Sequence, residues 1–390
     1  MRRTRWDSRR RCAPAEQADL VVVNSCSVTA SADQGTRQTI RRVARLNPAA
    51  RIVVTGCYAT RRPAEVSALP SVAQVVVNDA KPRLVPLIVG GAGDDDPCGT
   101  PLEPGLAGRT AFTLRVQTGC DERCSYCIIP ATRGRARSVP LDEVLREVER
   151  VAEAGFKEIV LTGVHLGSWG RDAEPRRQLV DLLRALDGRG VLFRLSSLEP
   201  MDCPPALVRL VAESTSFAPH FHLPLQHASD AVLARMRRPY TAAQYAALAA
   251  EVRAKMPSAA IGADVIVGFP GETDAEFDEL IGYLDRSPLT HLHVFPYSDR
   301  PGTAASALPG RVPGAVVRER ASRTREAGRR LNLAFRDAQL GAIRRALTVD
   351  DGAAVVTDNY LKLRVPSGRR RNQWVPVRIV SHTDGEPLGG

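Results

Sequence analysis

Six short apolar segments alternate with amphipathic helical patterns between residues 109 and 324, and this alternation limits the fold more than any other feature. The helical pattern LDEVLREVERVAEAG, for example, has apolar residues at helical spacing and is expected to end at Gly155. Repeated strand–helix units of this length predict an α/β fold with parallel strands. Six of them predict a partial (β/α)6 barrel rather than a closed eightfold barrel. The predicted strand-and-loop segments are TLRVQTG, EIVLTGV, LFRLSSLEP, FHLPLQHA, IGADVIVGFPG and HLHVFPYS.

Several chemically versatile residues directly follow these predicted strands. In β/α barrels the functional groups lie on the loops after the strands, so that groups from different strands meet at one end of the barrel. We therefore expect one shared mouth that is lined by Cys120, His165, Glu199, Gln226 and Gly271.

A cysteine run, C-x3-C-x2-C, lies in the segment CDERCSYC and consists of Cys120, Cys124 and Cys127. Three thiolates at this spacing can hold three irons of a cubane cluster, whereas such a cluster normally takes four cysteines. The run therefore predicts an iron–sulfur cluster with one iron open to a substrate or cosubstrate. A zinc knuckle or unconnected core cysteines are the alternatives. Zinc sites more often pair two C-x2-C motifs, and no second one occurs in this sequence.

The N-terminal segment has three further apolar runs, VVVNSCSV, RIVVTGCY and AQVVVND, with a helical pattern from Ala32 to Leu46 between the first two. Strand–helix–strand alternation predicts a second α/β unit with parallel strands. Cys26 and Cys57 each lie just past the apolar run of a strand. Because functional groups gather at the carboxyl ends of parallel strands, these two cysteines are candidates to converge in space.

The chain of 390 residues is basic, with a net charge of +11 and a pI near 9.6. This charge favours a polyanionic partner, although an arginine bias of this kind also arises from GC-rich coding. The sequence has no run of 18 apolar residues, so it predicts no membrane span. The apolar stretch LVVVNSC is too short for a signal peptide. We therefore expect a cytoplasmic protein whose eight cysteines serve metal or redox chemistry rather than disulfides.

Changes in composition divide the chain into four segments. Residues 1–90 form the predicted N-terminal α/β domain, and residues 91–108, rich in Gly, Asp and Pro, form a predicted linker. Residues 109–330 form the predicted barrel. Residues 331–390 contain a connecting helix and short β-branched runs broken by Gly, Asp and Pro, which predict a small antiparallel β domain.

The cysteine loop LRVQTGCDERCSYCIIPATRGRARS and the segment GADVIVGFPGET resemble the radical S-adenosylmethionine (SAM) methylthiotransferases. The resemblance extends over nearly the whole chain from Ala18 onward. It implies a 4Fe–4S cluster on the three cysteines, with the amino and carboxylate groups of SAM on the open iron. It also implies reductive cleavage of SAM to a 5′-deoxyadenosyl radical, insertion of sulfur and then methyl at an unactivated C–H bond, and an electron donor such as a flavodoxin or ferredoxin.

The same resemblance implies which residues contact SAM. Other roles remain open for three residues: an ordinary turn glycine for Gly163, and helix caps for His165 and Glu199. Thr273 is expected to start the next helix rather than bind the cofactor. The implied SAM contacts are Thr162, Gly163, His165, Ser196, Glu199, Gln226, Asp264 and Gly268.

Members of this family carry a second 4Fe–4S cluster on three cysteines of the N-terminal domain, and the resemblance assigns two of them to Cys26 and Cys57. The third normally lies on an upstream first strand, in a GC-x2-N loop that is missing here. Cys12 is a candidate replacement, although it falls in a region that the family uses as a connection. We expect instead that the chain starts late, through a misplaced start or a true truncation, so that this domain lacks its first strand.

The C-terminal β domain resembles a TRAM domain, a small RNA-binding β-barrel. Cations beside aromatic rings suit phosphate contact and base stacking, and a solvated basic hairpin is the alternative. The candidate RNA-binding residues are Tyr360, Lys362, Arg364, Arg369, Arg370, Arg371 and Trp374.

The segments GVHLGSWG, RMRRPYT and HLHVFPYSDRPGTAA are most similar to the threonylcarbamoyladenosine branch of the family. The isopentenyl branch usually has a GQN loop where Val164 and His165 stand. We therefore expect tRNA, rather than DNA, as partner, and methylthiolation of N6-threonylcarbamoyladenosine next to the anticodon. The alternatives are isopentenyladenosine in tRNA, an aspartate of a ribosomal protein, and a truncated RNA-binding protein without catalysis.

Overall fold

The computed structural model describes residues 14–27, 29–89, 102–105 and 109–388. These residues form two compact units. The smaller unit contains the described residues up to 89 together with Cys127–Gly134 and Ser298–Gly302, and the larger unit contains the rest. Cys12 and most of the predicted linker lie outside the described residues.

The smaller unit has a three-stranded parallel sheet in the order β1-β2-β3, which confirms the strands predicted for the N-terminal segment. The helix predicted from Ala32 begins two residues earlier, because the Thr29 side chain accepts a hydrogen bond from the Ala32 N–H and caps it there. Ile40, Ile52 and Val54 are fully buried between helix and sheet. The elements are β1 Leu20–Ser25, α1 Ala30–Leu46, β2 Arg51–Gly56, α2 Cys57–Arg61, α3 Pro63–Ser67, β3 Val72–Val76, α4 Leu84–Val89 and α5 Ile129–Arg133.

The larger unit contains the six predicted parallel strands, and the short strands β5 and β6 form an antiparallel pair between the first two. They form the sheets β4-β7-β8 and β11-β10-β9, which are linked by parallel bridges at Phe193–Phe217 and Ser197–His222. No pairing joins β4 to β11 within the described ranges, so the barrel is partial, as predicted. The strands are β4 Phe112–Arg115, β5 Gln117–Thr118, β6 Arg137–Ser138, β7 Glu158–Thr162, β8 Leu192–Leu195, β9 His220–His222, β10 Ala260–Val267 and β11 His291–Pro296.

Helices follow the barrel strands and cover their outer faces. The predicted stop at Gly155 is confirmed, since α6 ends at Glu153 and Gly155 has a φ of +90°. Within the described residues, no helix has the length and apolar character needed to cross a membrane. The helices of this unit are α6 Leu141–Glu153, α7 Leu179–Leu186, α8 Pro205–Glu213, α9 Asp230–Arg235, α10 Ala242–Lys255, α11 Asp274–Leu284 and α12 Gly314–Asp337.

The barrel strands divide their side chains between an apolar outer face and a polar interior. On β10, Ala263 and Val265 belong to the main hydrophobic core, so Asp264 lies on the opposite face. On β8, Phe193 likewise belongs to that core, whereas Arg194 lies on the other face and forms a buried ion pair with Glu158 of β7 at 2.8 Å. The interior of the partial barrel is therefore lined by charged and polar groups.

The C-terminal residues form a five-stranded antiparallel sheet in the order β14-β13-β12-β15-β16. An isolated bridge between Arg364 and Asp384 connects β14 with the chain just before β16, so that the two edges approach each other. The curled sheet encloses its own core, which includes Ala346, Val355 and Val377. This architecture agrees with the predicted small β-barrel. The strands are β12 Ile343–Val349, β13 Ala354–Thr357, β14 Lys362–Arg364, β15 Trp374–Ile379 and β16 Gly385–Pro387.

Candidate cluster and cofactor site

Each of the three cysteines of the predicted cluster loop has a nitrogen group beside its sulfur. His165 Nδ1 lies 3.6 Å from the sulfur of Cys120. Arg238 Nη1 donates to the sulfur of Cys124 at 3.1 Å, and the backbone N–H of Ile129 donates to the sulfur of Cys127 at 3.4 Å. Hydrogen bonds to sulfur stabilise thiolate ligands of iron–sulfur clusters. The residues present therefore fit a cluster held by three cysteines.

His165 is buried between Cys120 and the carboxylate of Asp202, which also pairs with Arg171. Burial alone would lower the pKa of His165. Hydrogen bonds and charge from Asp202 and Cys120 outweigh burial and raise that pKa to about 10. The ring does not cap the short helix that follows it. His165 therefore holds a positive charge beside a cluster cysteine. Its proximity to Cys120 agrees with the predicted shared mouth, whereas sequence analysis did not predict its charge.

Arg238 is a site residue that sequence analysis missed. Its guanidinium is buried, donates to the sulfur of Cys124 and pairs with the carboxylate of Glu199. Burial would lower the pKa of Arg238, but the charges of Glu199 and other nearby groups raise it overall. The segment RMRRPYT contains three arginines, and its sequence carries no signal that singles out the buried one.

The loop after β8 presents Glu199 and Ser196 as polar groups. The Glu199 carboxylate pairs with Arg238, and the hydroxyl oxygen of Ser196 is buried without a hydrogen-bond partner among the described residues. A buried hydroxyl without a partner costs about 1–3 kcal/mol. A polar cofactor that contacts this hydroxyl would recover that energy, which fits the predicted SAM contacts.

Gln117 organises the loop after β7 and was also missed by sequence analysis. Its side chain accepts a hydrogen bond from the His165 N–H at 2.8 Å and donates to the carbonyl of Gly119, just before the cluster loop. A Cβ at Gly163 would lie 2.9 Å from Leu166 Cα and 3.0 Å from the Gln117 amide oxygen. Packing thus requires glycine at this position. Thr162, the last residue of β7, donates to the Leu114 carbonyl at 3.4 Å.

The GFPGET loop after β10 is held by a buried ion pair. The Glu272 carboxylate accepts hydrogen bonds from the N–H groups of Gly268 and Phe269 and pairs with Arg320 of α12 at 2.7 Å. A Cβ at Gly268 would lie 2.5 Å from a methyl group of Val317, so this glycine also makes room for α12. Thr273 caps α11 through a capping box, as predicted.

Gln226 and Asp264, the remaining predicted SAM contacts, are joined through the backbone of adjacent strands. Gln226 has a φ of +62°, and its N–H donates to the carbonyl of Asp264 at 2.8 Å. The Asp264 carboxylate is directed towards His222 and His293. It therefore belongs to a separate group of polar residues in the barrel interior.

Cys26 and Cys57 lie at the carboxyl ends of two neighbouring strands of the smaller unit's sheet, because they follow the paired residues Ser25 of β1 and Gly56 of β2. Cys26 is exposed, whereas Cys57 is buried and its sulfur accepts a hydrogen bond from Arg133 Nε at 3.2 Å. The two cysteines therefore lie at the same end of the sheet, with a cationic donor beside the sulfur of Cys57. Cys12, the suggested third ligand, lies outside the described residues.

Five of the candidate RNA-binding residues, Tyr360, Lys362, Arg364, Arg371 and Trp374, contact other protein groups. Arg345 stacks over the ring of Trp374 at 4.0 Å, and the Tyr360 ring lies between Arg194 and His220. Arg370 is exposed, and Arg369 is partly exposed. Lys362 forms an ion pair with Asp350, and Arg364 forms one with Asp384. Arg371 donates a hydrogen bond to the Gly105 carbonyl.

Comparisons with known proteins agree with this geometry. The Radical SAM superfamily model matches residues 114–284, and the model of the uncharacterized protein family UPF0004 matches residues 7–78. The chain is 35% identical to the threonylcarbamoyladenosine tRNA methylthiotransferase MtaB of Aquifex aeolicus, over 93% of this chain and 92% of that protein. It is 38% identical to the tRNA-2-methylthio-N(6)-dimethylallyladenosine synthase of Chloroflexus aurantiacus, over 79% of this chain and 68% of that protein.

A solved structure with a similar fold is the radical SAM methyltransferase TsrM from Kitasatospora setae, which contains cobalamin and a 4Fe–4S cluster. The two share a TM-score of 0.54 and 18% identity, over 74% of this chain and 66% of that one. This likeness concerns the fold alone.

Proposed function

Because this chain belongs to the radical SAM methylthiotransferases, we propose that it methylthiolates N6-threonylcarbamoyladenosine next to the anticodon of tRNA. The observation that carries the proposal is the 35% identity to a relative named for that substrate, over 92% of the relative's length. Val164 and His165 support it, since they stand where the isopentenyl branch usually has GQN. The proposed product is 2-methylthio-N6-threonylcarbamoyladenosine.

The cluster and SAM require ligands that this chain has. When bound, the 4Fe–4S cluster supplies the electron that allows SAM to activate an inert C–H bond. Cys120, Cys124 and Cys127 hold three of its irons, and the cations of His165 and Arg238 stabilise the thiolates in a loop that is partly shielded from water. The chain is therefore a radical SAM methylthiotransferase with 4Fe–4S and SAM as cofactors.

Glu199 and Ser196 are proposed to hold the polar groups of SAM. The Glu199 carboxylate is a charge-assisted acceptor for an ammonium or ribose hydroxyl, and its ion pair with Arg238 orients it. The Ser196 hydroxyl gains the partner that it lacks in the protein alone. Thr162, Gly163, Gln226, Asp264 and Gly268 remain proposed contacts; Gly163 and Gly268 also have the packing roles described above.

The smaller unit is proposed to carry the second cluster on Cys26 and Cys57. Arg133 donates to the sulfur of Cys57, as Arg238 does to the sulfur of Cys124, so both sites place a guanidinium beside a sulfur ligand. We propose a flavodoxin or ferredoxin as electron donor and a cytoplasmic location.

The C-terminal sheet is proposed to be a TRAM-like domain that binds tRNA. Arg369 and Arg370 can reach phosphates, and Trp374 offers a ring for stacking once Arg345 moves from its face. Electrostatic binding of this kind weakens as the salt concentration rises.

The test is a nucleoside profile of tRNA from cells that lack the gene, complemented with the wild-type chain or with Cys120→Ala. The expected result is that the wild-type chain restores 2-methylthio-N6-threonylcarbamoyladenosine and that Cys120→Ala does not, because an iron loses its ligand. Restoration of the isopentenyl product instead, or product on ribosomal protein alone, would overturn the proposed substrate. Purified chain that binds tRNA but never assembles a cluster would instead be an RNA-binding protein without catalysis.

A further inference from the structure

Three side chains on adjacent strands meet inside the partial barrel, apart from the cysteine loop: His222 of β9, Asp264 of β10 and His293 of β11. Asp264 Oδ1 lies 3.0 Å from His222 Nε2 and 3.2 Å from His293 Nδ1. The strand register pairs Asp264 directly with His293 and pairs His222 with Gly262, two residues earlier on β10. All three side chains therefore lie on the same face of the sheet.

Gly262 makes room for His222 of this group and for the neighbouring His291 of β11. A Cβ at position 262 would lie 2.1 Å from Nε2 of His291 and 2.8 Å from Nδ1 of His222. Because the first contact is far shorter than van der Waals distance, a larger residue would push at least one imidazole away from the face of β10. Strand β10 therefore has no side chain at position 262, where His222 of β9 and His291 of β11 approach its backbone.

The carboxylate of Asp264 has no permanent cation as its partner. Within the described residues, both of its ion-pair partners are histidines, and neither arginine nor lysine pairs with it. The group therefore combines one carboxylate with two imidazoles, which are the ligand types that zinc binds in proteins.

The ligand atoms have the separations that a small divalent cation requires. Zinc binds imidazole nitrogen and carboxylate oxygen at about 2.0–2.2 Å, which separates two ligand atoms of a tetrahedron by about 3.3 Å. The measured separations of 3.0 and 3.2 Å are close to that value, and all three ligand atoms lie within 4.8 Å of one another. Two histidines and one carboxylate also leave a coordination position open.

We propose that His222, Asp264 and His293 form a binding site for one divalent transition-metal ion, such as Zn²⁺, in the barrel interior. The open position faces the interior, where water or a substrate oxygen completes the coordination. The site is reachable from solvent, since the side chains of Asp264 and His293 are 24% and 57% exposed. The proposal does not depend on the substrate proposed above, because it concerns only these side chains. For Asp264 it replaces the SAM contact proposed above.

The test measures zinc bound to the full chain after its iron–sulfur sites have been loaded, so that the cysteines are occupied. Wild type, His293→Ala and Asp264→Asn are dialysed against buffered Zn²⁺, and zinc per chain is measured by mass spectrometry. His382→Ala is the matched control, because His382 is a histidine that pairs with Asp337 at 2.6 Å on the C-terminal part of the chain. Visible absorption of the iron–sulfur site reports that each variant is folded.

We expect about one zinc per chain in wild type and in His382→Ala. Loss of a group that hydrogen-bonds to a metal ligand weakens metal binding by about 10–100-fold. Loss of a ligand itself should therefore weaken zinc binding by about 100-fold or more. X-ray absorption at the zinc edge should show nitrogen and oxygen ligands. Equal zinc in wild type and His293→Ala, or sulfur ligands at the zinc, would overturn the proposal, since the metal would then lie elsewhere.

Discussion

The guanidinium of Arg238 donates a hydrogen bond to the sulfur of Cys124 at 3.1 Å. The same group pairs with Glu199, so that one buried cation connects a cluster ligand with a proposed SAM contact. Positive charge and hydrogen bonds near a sulfur ligand favour the reduced cluster and raise its reduction potential.

Arg238→Gln should therefore lower the potential of the SAM-binding cluster. A hydrogen bond to a charged group contributes about 1.5–3 kcal/mol, and about 1.4 kcal/mol corresponds to 59 mV for one electron, so a shift of about 60–130 mV is expected. The potential is measured by redox titration with electron paramagnetic resonance. Arg189→Gln is the control, because Arg189 pairs with Glu149 on the surface. A potential unchanged from wild type would show that the contact has no effect on the cluster.

The His165–Asp202 pair should make the stability of the cluster-free chain depend on pH. The pKa of His165 is raised from 6.5 to about 10, so its stabilising contribution is complete below pH 6.5 and is lost as the pH rises towards 10. Asp202→Asn should remove that contribution and cost about 3–5 kcal/mol at neutral pH, because a buried charge loses its partner. Urea unfolding, monitored by tryptophan fluorescence, measures both effects.

Asp142→Asn is the comparison for this variant, since Asp142 forms an exposed pair with Arg146. Solvent screens the charges of an exposed pair, so this substitution should have little effect on the free energy of unfolding. If Asp202→Asn were no more destabilising than Asp142→Asn, the charge pairing assigned to His165 would be wrong.

Arg320 of α12 allows a buried and an exposed partner to be compared directly. Its guanidinium pairs with Glu272, whose side chain is 0% exposed, and with Asp274, whose side chain is 93% exposed. Glu272→Gln should lower the free energy of unfolding by about 3–5 kcal/mol, whereas Asp274→Asn should change it by about 1 kcal/mol or less. Equal losses in urea unfolding would contradict this difference in burial.

Gly56 precedes Cys57 and has a φ of +98°, and a Cβ there would lie 2.2 Å from the Ser25 carbonyl oxygen. In a Cys120→Ala background the iron that remains reports the Cys26–Cys57 site, with about four atoms expected for one cubane cluster. Gly56→Ala should remove this iron, because β1 and β2 must separate beside both cysteines. Gly155→Ala, at a φ of +90° with open space around it, should retain it. Anaerobic reconstitution followed by iron and sulfide analysis measures the difference.

Local sequence pattern determined much of the fold. Alternating apolar segments and amphipathic helices predicted the parallel strands of both units, because strand and helix periodicities are properties of short stretches of chain. The capping role of Thr273 and the helix stop at Gly155 followed in the same way. The spacing of Cys120, Cys124 and Cys127 predicted the cluster loop, since all three ligands lie within eight residues.

Only the tertiary structure decided which buried charges meet. Arg238 reaches Cys124 across 114 positions of sequence, and His165 reaches Asp202 across 37. No local pattern distinguishes a buried arginine or histidine from an exposed one, because either is stable in the interior only where a distant partner compensates for its lost hydration. The group of His222, Asp264 and His293 arises in the same way, from the register of three strands. Local sequence therefore determined the helices, the strands and the cluster loop. Strand order and register determined which charged groups meet around that loop and in the barrel interior.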